Sequence, residues 1–213
     1  MYFNGPFLVF LKASPRIALQ TTIRLVDFGT DRWLEGFHRF TGPEIIPSYK
    51  LFFEGFDKSF IGNGNVYNWH REMRDSSVFV ESALMAVEKW LYDRIDAKED
   101  VSDAINQMLT ETKSAAFLGL LVSVGLYSPG LFNGPLRPLL SSPDLYMTQR
   151  STLLGASWKF LFDITWGRYG KRVSEEVRAW NEMPHRRYEL YELARRLLFF
   201  NGEAASHLEI YRK

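Results

Sequence analysis

The chain has 213 residues with 26 basic and 25 acidic side chains, a net charge of +1, and no cysteine. That length suffices to bury about 70% of the unfolded chain's surface without a covalent staple, and the absence of thiols excludes disulfides, iron–sulfur clusters, thiolate zinc sites and a cysteine nucleophile. The near-neutral balance provides no global attraction to nucleic acid or an anionic membrane, and with neither a signal-type opening nor a long apolar run, a cytoplasmic protein without membrane contact is expected.

In chain order, Asn4 ahead of Gly5-Pro6 predicts a short helix through Phe7, Leu8, Phe10 and Leu11, and Ser14-Pro15 starts a second through Ile17, Leu19, Ile23 and Val26. The two read as a helical hairpin. The period then changes: Tyr49, Leu51 and Phe53 alternate with Lys50, Phe52 and Glu54, a turn containing Gly55 follows, and residues 59–61 pair back. Gly62-Asn63-Gly64-Asn65 turns the chain again toward Val66, Tyr67 and Trp69, so a small β-hairpin inserted over about 47–70 is predicted.

The centre of the chain is the most explicit. At 100° per residue, Val80, Leu84, Val87, Leu91 and Ile95 fall in one stripe about 80° wide, with Ala83 and Trp90 on its flank. Asp100 is positioned to cap a shorter helix that turns Ile105, Met108 and Leu109 inward, and Ser114 to cap a third. From 115 to 126 no side chain is charged, and Ala115, Ala116, Gly119 and Ser123 gather on one side, where a neighbouring helix can approach closely. A dozen or so apolar residues are too few to span a bilayer, which takes about 20, so this helix is assigned to a core. Pro129, Gly130, Gly134, Pro135, Pro138 and Pro143 then break the chain into short helical turns, and helices resume at about 151–166, 174–181 and 185–200. The predicted fold is mostly α, an irregular α-solenoid or HEAT-like bundle with one small inserted β-hairpin. It is read as one helical domain over 1–213, with a sub-boundary near 128–148.

Gly5-Pro6-Phe7, Val66-Tyr67-Asn68-Trp69-His70-Arg71, Ser82-Ala83-Leu84-Met85-Ala86-Val87-Glu88-Lys89-Trp90-Leu91-Tyr92 and Val122-Ser123-Val124-Gly125 resemble the helical region downstream of the ATPase in large bacterial signalling-type (STAND-like) P-loop NTPases, some of them defence-associated. The resemblance implies a scaffold and sensor region whose partner is another protein or an adjacent domain. The family's P-loop has no counterpart in this sequence, so the chain itself is expected neither to bind nor to hydrolyse nucleoside triphosphates and to use no cofactor.

Candidate chemistry is sparse. Gly62-Asn63-Gly64 lacks the third glycine of a dinucleotide loop, and the stretch Gly167-Arg168-Tyr169-Gly170-Lys171-Arg172-Val173-Ser174 has the wrong spacing for a P-loop; these read as a turn and a basic loop. Glu81 and Glu88, two turns apart, are predicted to make salt bridges at the edge of the central stripe, and Asp93, Asp96, Glu99, Asp100 and Asp103 to serve as caps and a solvated turn. His38, His70, His185 and His207 stand in no catalytic or metal-binding pattern, and Arg94 is predicted to stack on Trp90 or to pair with a carboxylate on another helix. Residues 1–149 carry 14 basic and 17 acidic side chains (−3) and residues 150–213 carry 12 and 8 (+4). Lys171, Arg172, Arg186 and Arg187 are therefore the candidate anion contacts, whereas Arg195 and Arg196 are interleaved with Glu189 and Glu192. The aromatic run Phe52, Phe53, Phe56, Phe60, Tyr67 and Trp69 exceeds what one face of a small sheet can bury, and these residues are the candidate interaction surface. A non-enzymatic scaffold or protein-interaction module is the reading that follows. Its alternatives are a nucleic-acid contact through 150–213, which the mixed charges disfavour, and an enzyme whose carboxylate site is assembled from residues distant in sequence.

Overall fold

The structure, a computed structural model, describes residues 5–71, 76–155, 179–180 and 182–199. It is mostly α-helical with a small two-stranded antiparallel hairpin. The chain separates into two compact units, Met1–Ser142 and Pro143–Lys213, divided within the Pro/Gly-rich stretch 128–148.

In the first unit, α1 (Phe7–Ala13) ends at Ser14, and Pro15 opens α2 (Pro15–Thr41), which needs no amide donor at its first position. Ser14 makes no side-chain cap bond. With 27 residues, α2 runs far beyond the Val26 at which its apolar pattern was read to end; its buried side chains, Ala18, Leu19, Thr22, Ile23, Val26 and Thr30, stop at Thr30. The hairpin follows, β1 (Ser48–Phe53) pairing with β2 (Phe56–Ile61) so that Tyr49 faces Phe60 and Phe53 faces Phe56. The two-residue turn between them places Gly55 at φ +90°, a left-handed conformation that costs glycine nothing. Past Ile61 the chain does not continue extended toward Trp69. Asn63 instead accepts hydrogen bonds from the amides of Asn65 (2.9 Å) and Val66 (3.4 Å) and starts a one-turn helix, α3 (Gly64–Tyr67).

The core is the set of helices α4 (Val78–Asp96), α5 (Ser102–Glu111) and α6 (Ala115–Tyr127). Ser77 caps α4 by accepting from the Phe79 amide at 3.3 Å, and Ser114 caps α6 by accepting from the Ala116 amide at 3.2 Å. Asp100 lies one residue further out than an N-cap: its carboxylate accepts from the Ser102 amide at 2.9 Å, and hydrogen bonding first from the Ser102 side chain and then from its amide holds the Asp100 pKa below the usual range. The α4 stripe is buried from Val80 to Leu91, and every residue of α6 from Ala115 to Leu126 is buried, as expected of a helix apolar on all sides. The small-residue side of α6 does receive a close neighbour, but it is the α3 turn rather than a long helix. A Cβ on Gly119 would lie 2.0 Å from the Tyr67 carbonyl oxygen and 2.8 Å from the His70 ring. Two 3₁₀ turns, Pro129–Asn133 and Arg137–Ser141, close the unit, with Phe132 filling the space beside Gly125.

In the second unit, α7 (Pro143–Gly155) begins eight residues ahead of the predicted start at Ser151, because Ser142-Pro143 supplies the start signal that Ser14-Pro15 supplies for α2. The predicted helix over 185–200 is a 3₁₀ turn, Pro184–Arg187, followed by the helix Leu190–Phe199. Gln149 joins them to α7: its side chain donates to the Tyr188 carbonyl (2.7 Å) and accepts from the Leu190 amide (3.1 Å). The predicted helix 174–181 and the ends of its neighbours lie largely outside the described residues. No described helix is long and apolar enough to cross a membrane.

Candidate interaction site

The alternation of β1 sorts the hairpin's aromatics. Tyr49 and Leu51 point inward and are buried, while Lys50 and Phe52 point outward, and across the register Phe60 joins the inner layer. The sequence-derived surface of six aromatics therefore divides. Phe60 (0% exposed), Tyr67 (2%) and Trp69 (2%) are core residues, and assigning them to an interaction surface is corrected here. Phe52 (49%) and Phe56 (52%) are exposed, and Phe53, half-buried, stacks on Phe56 with ring centroids 4.9 Å apart. The physical reason is that alternation assigns Phe60 inward, while the α3 turn brings Tyr67 against Tyr49 of the hairpin and carries Trp69 into the core beside Gly29 of α2, leaving only the hairpin's outer face and tip to solvent. On that face the Lys50 ammonium lies 5.2 Å from the centroid of Phe52 and 2.7 Å from the Asp57 carboxylate, so the ring is flanked by a charge pair.

The hairpin is fixed at both edges. Ser141 accepts from the Phe52 amide at 3.1 Å, standing in for a neighbouring strand on the β1 side. On the β2 side the Ile61 amide donates to the Lys113 carbonyl at 2.6 Å, and Ile61 makes a parallel bridge with Ser114. Lys58 reaches from β2 to the end of α5, donating to the carbonyls of Leu109 (2.8 Å) and Thr110 (2.6 Å), two of the groups a helix leaves unmet at its C-terminus. Burial lowers the Lys58 pKa.

The α5–α6 connection that receives β2 is held from the other side by α2. Asp27 accepts from the Thr112 hydroxyl (2.6 Å) and the Lys113 amide (3.2 Å), Thr30 donates to the Ser114 hydroxyl (2.7 Å), and Asp31 pairs with the Lys113 ammonium (2.6 Å). Burial of Asp27 outweighs these hydrogen bonds and raises its pKa above the usual carboxylate value. Apart from Ser114, a predicted helix cap, none of these polar residues is marked by a sequence motif. The one available signal was the pair of aspartates one helical turn apart beside an apolar stripe.

Other candidates resolve into structure. Glu81 and Glu88 are buried in α4 rather than at its edge; Glu81 accepts from Ser76 (3.1 Å) and Glu88 from Tyr92 (2.6 Å). His70 is buried between the Tyr67 carbonyl and the Ser123 hydroxyl, 3.1 Å from each. Arg94 lies 5.0 Å from the Trp90 ring and pairs with Glu99 at 2.8 Å, both within reach of its own helix end. Among the described residues, no group of three or more His, Asp or Glu side chains is placed to hold a metal ion. Of the four candidate anion contacts, Lys171 and Arg172 lie outside the described residues and Arg187 is exposed. Arg186 is corrected to a buried residue, 3% exposed and 5.1 Å from the Trp180 ring, since the 3₁₀ turn directs it inward. Glu192 bridges Arg195 (2.9 Å) and Arg196 (3.2 Å), and the two guanidinium groups lower its pKa to about 2.

No protein-family model matches the sequence, and comparison with curated proteins finds no significant relative.

Proposed function

We propose that the chain is a non-enzymatic helical scaffold that docks a protein partner, or an adjacent domain, through the outer face and tip of its β-hairpin. The observation that carries this reading is the exposure of Phe52 on the outer face and of Phe56 at the tip of a hairpin whose inner face is anchored by Phe60 and Leu51 in the core. Two large rings held at the surface of an element clamped on both edges form the preordered aromatic anchor typical of interface centres. On the sequence resemblance, the reading extends to the scaffold or sensor part of a larger signalling-type NTPase. Helix lengths from 10 to 27 residues in the first unit's main helices favour an irregular bundle over a regular HEAT-like stack.

The test is a photo-crosslinking amino acid at the exposed Glu54, between the two rings, with one at the exposed Arg150 as control, each also made in the full chain carrying Phe52→Ser/Phe56→Ser. A specific adduct at 54, weakened at least tenfold by the double substitution without a change in melting temperature, supports docking. An adduct pattern identical to that at 150 overturns it. Deleting 52–60 is not an equivalent test, since it also removes Phe60 from the core and Lys58 from the end of α5.

A further inference from the structure

We draw no further inference here: the strongest candidate, the apolar run Trp33, Leu34, Phe37 and Phe40 that continues the inner side of α2 past Thr30 with three half-buried side chains and an exposed Phe40, carries nothing because nothing in the structure shows what covers it.

Discussion

Replacing Gly119 by alanine tests the packing between α6 and the α3 turn. The added Cβ would stand 2.0 Å from the Tyr67 carbonyl oxygen, 2.8 Å from the His70 ring and 3.0 Å from the Tyr67 carbonyl carbon. A carbon–oxygen contact relaxes at about 3.3 Å, so backbone, not a flexible side-chain end, must move by roughly 1.3 Å. Overpacking of this kind costs about 1–3 kcal/mol, and the upper end applies because the Tyr67 carbonyl also accepts from the buried His70 ring. Alanine's better helix propensity returns up to about 1 kcal/mol, leaving a net loss of roughly 2 kcal/mol. For a unit of this size that lowers Tm by about 4–8 °C. The assay is calorimetric or denaturant-induced unfolding beside Gly36→Ala in α2, where a Cβ meets nothing within 4 Å and a gain of about 0.5–1 kcal/mol is expected. Should Gly119→Ala prove as harmless as Gly36→Ala, the α3 turn does not rest on α6 as described. Gly119→Leu, with three more carbons, should prevent cooperative folding or reduce Tm further still.

Trp90→Ala removes a buried ring of α4 and the surface on which Arg94 lies; chemical denaturation should show a loss of about 3–5 kcal/mol, and a surface-like loss would refute the helix register. Lys98 adopts φ +60° after α4, where glycine is the usual residue, so Lys98→Gly should stabilise by up to about 1 kcal/mol; destabilisation would mean that its side chain holds the turn. Because the folded-state pKa of Asp27 is raised above 3.8, the folded form binds that proton more tightly than the unfolded chain. Its contribution is complete below the unfolded pKa and is lost as pH rises through the folded value. The Tm of Asp27→Asn should therefore gain on the wild type as pH rises from about 4 toward neutrality, and a difference that shrinks over that interval would refute burial as the dominant cause. Duplex DNA should bind no tighter than micromolar at physiological salt, because Glu192 pairs with both Arg195 and Arg196 and Arg186 is buried; a steep salt slope with submicromolar affinity would overturn this.

The helical class, the caps at Ser77 and Ser114, the strand alternation from Tyr49 to Phe53 and the stacking of Arg94 on Trp90 depend on residues within a few positions of one another. Such local rules of period and capping are written in sequence, although the cap at Ser77 had passed unnoticed. What tertiary structure decided is which aromatics remain outside. Phe56 and Phe60 are both phenylalanines of one strand on the same pleat, yet Phe60 lies over the core and Phe56 at the tip beyond it. The inward turn of Tyr67 and Trp69 follows from a helical turn begun by the Asn63 side chain, a choice that competes with extension until the close fit of Gly119 beneath it makes the helical alternative the better packed. The joint among Asp27, Thr30, Asp31 and the Thr112–Ser114 connection spans more than 80 positions. Hydrogen-bond partners so distant are chosen by how the helices pack, and a single sequence, which displays only local patterns, carries no record of that choice.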